Sequence, residues 1–236
     1  MIVFLPCRKG SQRVVNKNTR PFCDIEGGLT EIKINQLIAT PSIDKIIVST
    51  DDDKVKKICY EKLHQSHKEY EILDRPENLA ASTTSTDDVI KYVSEIMPNE
   101  DVSIMWTHVT SPFIDESIYE QAIQEYRLNR SNFDSLMSVT KIQKYLWDTT
   151  GKAINYDRSV EKWPPTQELP ELYEINSGIF IADLNIYQEF QDRVGVKPYL
   201  FKMDEYNARD IDWEEDFKVA ELQWQNAKKQ MTGIEV

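Results

Sequence analysis

Short apolar runs alternate along this chain with segments of helical spacing, and that rhythm is the tightest constraint on its fold. Ile2 to Pro6 (IVFLP) is a continuous apolar run stopped by proline, the pattern of a strand buried on both faces. Lys45 to Thr50 (KIIVST) and Val102 to Thr107 (VSIMWT) repeat it, with Tyr70 to Leu73 and Leu136 to Thr140 as shorter versions. Between them, Glu31 to Ala39, Asp52 to Leu63, Thr86 to Ile96 and Asp115 to Leu128 read as helices. Acids open the second and third of these, and Ser/Thr residues stand ready as caps before Thr86. A β–α–β–α order predicts an α/β fold, a mostly parallel sheet with helices on both faces, with ligands at the carboxyl ends of the strands. The rhythm breaks over Lys141 to Ile175, which holds Tyr145, Trp147, Trp163, Pro164, Pro165 and Pro170. That stretch is expected to be an arm or lid inserted in a single domain spanning 1–236. Ile179 to Ala182 and Tyr199 to Met203 resume strands, and Trp213 to Gln230 reads as a closing helix.

The 236 residues are 40% hydrophobic, enough for a sizeable core, and the formal charge is 28 − 40 = −12. Such a balance argues against nucleic acid or anionic membrane as partners, since both want a basic face. The distribution is sharper than the total. Residues 1 to 23 carry Arg8, Lys9, Arg13, Lys17 and Arg20 and no acid; Asp24 is the first. A local basic island in an acidic chain fits a small, highly charged anion such as a polyphosphate. Cys7, Cys23 and Cys59 are an odd number with wide spacing, and His64, His67 and His108 lack zinc-site spacing, so neither disulfides nor structural zinc are expected. The apolar start, Met1 to Leu5, is too short for a signal-peptide core, and no run approaches the roughly 18 apolar residues of a membrane span. The expected location is the cytoplasm.

Two segments carry candidate chemistry. The loop from Cys7 to Asn18 (CRKGSQRVVNKN) follows the first strand. Gly10 and Ser11 let backbone N–H groups approach an anion, and Arg8, Arg13 and Lys17 can neutralise phosphates. It is neither a Walker A loop nor a G-x-G-x-x-G turn, and a solvated basic loop is the alternative. Asp210-Ile211-Asp212, if extended, puts two carboxylates on one side and Ile211 on the other, a pair suited to Mg²⁺; helix capping is the alternative. Ser49-Thr50-Asp51-Asp52 reads mainly as a helix cap, and His108 in His108-Val109-Thr110-Ser111-Pro112 as a structural histidine. No Ser/His/Asp triad or Cys/His pair assembles.

Together these pieces resemble the acylneuraminate cytidylyltransferase family, which includes the CMP-sialic, CMP-legionaminic, CMP-pseudaminic and CMP-Kdo acid synthetases. The family's A-R-x-G-S-K-x-x-x-x-K-N loop is similar to Cys7 through Asn18, and its V-S-T-D-D strand end to Val48 through Asp52. Its R-P-x-x-L-A matches Arg75 to Ala80, and its T-S-P matches Thr110 to Pro112. Its L-P-x-x-Y-x-x-N motif is met by Leu169-Pro170, Tyr173 and Asn176 to Ile181, and its D-I-D-x-x-x-D-F by Asp210 to Phe217. The resemblance covers nearly the whole chain. It implies a Rossmann-like nucleotide-diphospho-sugar transferase fold that joins CMP from CTP to the anomeric hydroxyl of a nonulosonic acid, releasing pyrophosphate. Arg8, Ser11, Arg13, Lys17 and Asn18 would hold the CTP phosphates and ribose, with Arg75, Thr86 and His108 at the base and ribose positions. Asp210 and Asp212 would hold Mg²⁺, and with Arg8 and Lys17 they form the implied catalytic set. Thr166, Gln167, Glu174, Asn176 and the Leu169–Pro170 segment would serve the sugar. The arm resembles the family's dimerisation insert, so a homodimer is expected. The family's frequent Gln before T-S-P is His108 here, and frequent arginines of the sugar region are Thr166 and Glu174. Glu174 would repel a carboxylate, so an acceptor bearing an amino group or a bulkier acyl substituent is expected. Other readings are a transferase acting on a Kdo-like or phosphonate acid, and a non-catalytic nucleotide-binding relative; an absent G-x-G-x-x-G speaks against a dinucleotide oxidoreductase.

Overall fold

The computed structural model describes residues 1–81, 83–98 and 101–232. In chain order the elements are β1 (Ile2–Pro6), α1 (Gly28–Ala39), β2 (Lys45–Thr50), α2 (Asp53–Leu63), β3 (Glu69–Asp74), α3 (Glu77–Ala80), α4 (Thr86–Ile96), β4 (Ser103–Thr107), α5 (Glu116–Asn129), β5 (Ser135–Ile142), β6 (Leu172–Asp183), α6 (Leu184–Phe190), β7 (Pro198–Met203) and α7 (Glu214–Thr232). Seven strands form one sheet in the order β3-β2-β1-β4-β6-β5-β7. Only β6 runs against its neighbours; every other pair is parallel. The mostly parallel sheet expected from the alternation is therefore the one observed.

Strand periodicity divides the core into two layers. Val3 and Leu5 of β1, Ile46 and Val48 of β2 and Met105 of β4 face one layer, roofed by α1, α2 and α5. Phe4, Ile47, Ile104 and Trp106 face the other, where Val89, Ile90 and Val93 of α4 meet Leu184, Ile186 and Tyr187 of α6. Acidic and hydroxyl caps start the helices: Asp52 accepts from the Lys54 amide at 2.9 Å, Ser85 and Asp88 form a reciprocal capping box, and Asp115 accepts from the amides of Ser117 and Ile118. At the far end of the chain, Ile211, Phe217 and Ala220 join the first layer, and Phe22 stacks edge-on against Phe217 and Trp224. This packing lays the last segment of chain across the first loop.

Three differences from the sequence reading have physical causes. The strand expected at Ile179 to Ala182 is longer, Leu172–Asp183, because its outer half pairs with β5 as a two-stranded ribbon, Thr140 opposite Glu174 and Ile142 opposite Leu172. The irregular excursion is thus confined to 143–171, rather than the whole of Lys141 to Ile175. That ribbon half is exposed or half-buried, so it lacks the buried-strand pattern. The third difference is α6, a seven-residue helix too short for a periodic signal.

Gly28 opens α1 at φ +58°, and a Cβ there would lie 2.1 Å from the carbonyl oxygen of Arg20. Gly28→Ala adds about 1–2 kcal/mol of left-handed backbone strain to that overlap. At roughly 2–4 °C per kcal/mol for a chain this size, thermal melting should drop by at least about 2 °C, and further for the overlap. An unchanged melting temperature contradicts this account of the α1 start.

Candidate active site

The carboxyl ends of β1 and β4 open into a cavity of about 420 Å³. One wall is the loop after β1, whose path is set by backbone and side chain together. Cys7 N–H donates to Ser49 O at 2.9 Å, Lys9 N–H to Asp51 Oδ1 at 2.7 Å, and Asn18 Nδ2 to Arg8 O at 3.1 Å. Gly10 turns the chain at φ +77°, and Asn16 at φ +53° takes the amides of Thr19 and Arg20 on its carbonyl. Arg8, Ser11, Arg13, Lys17 and Asn18 line this wall, while His108, Val109 and Thr110 line the other. Six of the eight residues expected at the nucleotide are thereby brought together. The other two lie outside the lining. Arg75 sits behind Arg8 with Nε on Leu79 O at 2.7 Å, its pKa lowered by burial against the pull of Asp51. Thr86 is the exposed first residue of α4.

Asp210-Ile211-Asp212 does not line this cavity itself but packs behind its lining residues Arg13, Lys17 and Thr110, as their floor. Ile211 is fully buried and the two carboxylates are not, as the extended reading requires. Lys17 Nζ donates to Ile211 O at 2.6 Å and reaches Asp212 Oδ1 at 3.4 Å; Arg13 Nη1 pairs with Asp212 Oδ2 at 3.2 Å. Ile211 N–H donates to Thr110 O at 2.9 Å, and the Thr110 side chain hydrogen-bonds Asp210. Burial raises the Asp210 carboxyl above the usual range; the Asp212 charge adds to the rise, while the Thr110 bond and Lys17 oppose it. Among the described residues no cluster of three or more metal-ligating side chains exists. Two mutually repelling carboxylates next to a basic cavity nonetheless have the hard oxygen chemistry that Mg²⁺ prefers, with room for phosphate oxygens and water to complete its shell. The residues fit that ion. Thr110, which joins the His108 wall to the floor, entered the sequence reading only as part of the T-S-P motif, because its role rests on a contact with Ile211 about a hundred residues away.

Asp210 also lines a second cavity of about 560 Å³, with Lys141, Lys144, Glu174, Asn176 and Glu205. A bulge in the β5–β6 ribbon builds this wall: Ser177 sits at φ +58°, and Ser138 stands opposite the displaced residues. Asn176 clamps the bulge, accepting from Ser138 Oγ and Gly178 N–H and donating to Thr140 Oγ1 at 3.1 Å. Its amide is thus largely used inside the protein. Lys141 and Lys144, unremarked in the sequence, pair with Glu171 at 2.6 Å and Glu205 at 3.6 Å. Glu174 is exposed and contributes to none of the ion pairs among the described residues. Thr166 and Gln167 lie on an exposed 3-10 turn of the excursion and line neither cavity.

His108 has a defined protonation state. The Trp106 indole N–H, which can only donate, lies 3.0 Å from His108 Nε2, so the ring proton sits on Nδ1. Burial, then the charges of Arg193, Lys17 and Lys33, push its pKa down to about 3. His108 is a fixed neutral imidazole and too weak a base to take a proton from a hydroxyl. Its folded pKa lies below its ordinary 6.5, so the unfolded chain protonates first; the stabilisation is complete above pH 6.5 and lost as pH falls toward 3. His108→Gln keeps an acceptor for Trp106 and removes the titration. Between pH 7 and 4 the wild type should lose more stability than this variant in urea melts, at up to about 1.4 kcal/mol per pH unit. Equal losses contradict the assignment.

Comparison with known proteins agrees with this geometry. The family profile described as Cytidylyltransferase matches residues 2–229. The chain is 26% identical over 224 residues to N-acylneuraminate cytidylyltransferase of Streptococcus agalactiae serotype V, covering 92% of this chain and 51% of that protein. It is 23% identical over 226 residues to post-translational flagellin modification protein B of Campylobacter coli, covering 91% of each. The chain therefore spans about half the length of the streptococcal relatives it matches. Among solved structures, CMP:2-keto-3-deoxy-manno-octonic acid synthetase complexed with CTP superposes with a TM-score of 0.67 at 14% identity, over 96% of this chain and 98% of that one. 4-Diphosphocytidyl-2C-methyl-D-erythritol synthase from Anaerococcus prevotii gives 0.65 at 15%, over 95% and 96%. These likenesses show a shared fold, and the profile match shows the family: this chain belongs to the cytidylyltransferases.

Proposed function

We propose that the chain transfers the CMP group of CTP to the anomeric hydroxyl of an acidic, nonulosonic-type sugar and releases pyrophosphate, in the cytoplasm. The observation that carries this reading is that two cavities flank one pair of carboxylates. Lys17, from the basic wall, contacts Ile211 and Asp212, while Asp210 faces the cavity of Glu174 and Asn176. A nucleotide in the first and an acid in the second would meet at the carboxylates. Relatives whose names carry cytidylyl transfer to N-acylneuraminate support the choice of substrates.

The chemistry asked of the protein is positioning and charge neutralisation for in-line attack on the α-phosphorus. Arg8 has no carboxylate partner among the described ion pairs and is available to the departing pyrophosphate. Lys17 and Arg13 share Asp212, so an arriving triphosphate competes with that carboxylate for both cations. Mg²⁺ held by Asp210 and Asp212 would supply Lewis-acid withdrawal of charge from the α-phosphate. Lys141 and Lys144 suit the acceptor's carboxylate, and the unpaired Glu174 suits an amino group on the same sugar. Thr166 and Gln167, outside both cavities of their own chain, would reach substrate from the arm of a second copy in a homodimer. Val160 and Trp163, 84% and 60% exposed on that arm, support such a contact.

The test is pyrophosphate release from each of the four NTPs with sialic, legionaminic, pseudaminic and Kdo-type acids, with and without EDTA. Release is expected only with CTP, only with divalent metal and only with one or two acids; release with another NTP, or none from any pair, overturns the reading. Asp212→Ala should cut turnover by about a hundredfold or more while CTP binding persists, because Lys17 and Arg13 lose their competitor. Arg8→Ala should weaken CTP binding as well as rate. Wild-type turnover by Asp212→Ala contradicts the site. Glu174→Gln should lower the preference for amino-bearing over N-acylated acids, and an unchanged preference contradicts its role.

A further inference from the structure

Helix α1 carries a buried polar stripe that lines neither of the two cavities. Thr30 and Lys33 are fully buried and Gln36 is nearly so, at i, i+3 and i+6 on one face. All three serve loop carbonyls. Thr30 donates its N–H and Oγ1 to Asn18 O at 3.0 and 2.8 Å, and Gln36 Nε2 donates to Pro112 O at 2.6 Å. Lys33 spends all three ammonium protons, on Ser111 O at 2.9 Å, Ile114 O at 3.2 Å and Tyr119 Oη at 2.6 Å. From Tyr119 the donors run one way. Thr107 Oγ1 donates to Gly178 O at 2.8 Å, so it accepts from Tyr119 Oη at 2.7 Å. The chain ends at the bulge that carries Asn176.

We propose that Lys33 is a positioning residue of the transfer site: its buried ammonium holds the 111–114 turn, and through that turn the Thr110 carbonyl that seats Ile211 between the two carboxylates. This rests on reading Asp210 and Asp212 as the floor of a nucleotidyl-transfer centre. Three facts carry it. A charge removed from water is costly unless its hydrogen bonds are complete, and here every proton is placed. None of the ion pairs among the described residues includes Lys33, so its compensation comes from the turn itself. And the same helix face grips Asn18 on the opposite wall, which makes α1 the common frame of both sides of the nucleotide cavity. Burial draws the Lys33 pKa well below its ordinary value against the pull of Asp115, consistent with a group held by neutral acceptors.

Lys68 provides a matched control. Its Nζ donates to Thr40 O, Pro41 O and Ile43 O at 2.7, 3.3 and 2.7 Å, the same chemistry at the opposite end of α1. Lys33→Met and Lys68→Met are compared by kcat and KM for CTP per folded protein, and by hydrogen exchange at the Ile211 amide. Lys33→Met should lower kcat by on the order of ten- to a hundredfold with a smaller rise in KM, and should speed Ile211 exchange. Lys68→Met should change neither. Unchanged kcat, unchanged Ile211 exchange, or equal effects in both variants overturns the proposal. If Lys33→Met does not fold, Tyr119→Phe replaces it. A fall in kcat of about three- to tenfold, the worth of one hydrogen bond, supports the proposal, and wild-type kcat overturns it. If the wild type itself shows no turnover, the transfer reading fails, and Ile211 exchange alone still decides whether Lys33 holds the floor.

Discussion

Lys17 puts its ammonium inside the fold, 2.6 Å from the carbonyl of Ile211 and 3.4 Å from Asp212, across 194 residues of chain. That contact lets a basic loop after the first strand and an acidic segment before the last helix become one surface. Arg13 with Asp212 and Arg20 with Glu214 repeat the pairing along its edge, and the aromatic contacts of Phe22 with Phe217 and Trp224 hold the two ends from beneath. Without the closing segment, Arg13, Lys17 and Arg20 would lose these carboxylate partners. The exposed pairs on their own contribute little, so the apolar packing keeps the ends together and the charges set their register.

A second regularity is the use of lysine as a clamp on carbonyl oxygens. Lys17, Lys33 and Lys68 each donate to backbone carbonyls, two of them to two or more. A flexible stem with three donors suits this task, because loop carbonyls diverge from one another and a planar guanidinium could not follow them. Each such clamp replaces backbone pairing that an irregular segment lacks. Lys33 and Lys68 do this from outside the two cavities, whereas Lys17 does it from the lining, beside Arg8, Ser11 and the imidazole of His108.

Much of this was legible in the sequence, and the limits are physical. Central strands such as Ile2–Pro6 and Lys45–Thr50 announce themselves because they are buried on both faces. Helices such as Thr86–Ile96 do so because their caps are local. The outer half of β6 and the short helix α6 carry no such local signal. At the site, Arg8 through Asn18 stood out because charge clusters in sequence. Thr110, Lys33, Lys141 and Lys144 did not, because each acts through a partner distant along the chain or from a wall assembled by a bulge. A lysine in an apolar helical pattern, as at Lys33 between Ile32 and Ile34, is the one mark the sequence offered, and it points to a buried acceptor cluster without naming it.

The central claim is that two cavities meet at one pair of carboxylates. The crystal structure of the protein soaked with CTP tests it most directly. The account predicts a triphosphate in the cavity of Arg8, Ser11 and Lys17, with the α-phosphorus facing Asp210 and Asp212 and the cavity of Glu174 and Asn176 left open beside it. A nucleotide bound elsewhere on the molecule, or one whose α-phosphate points away from the two carboxylates, would contradict it.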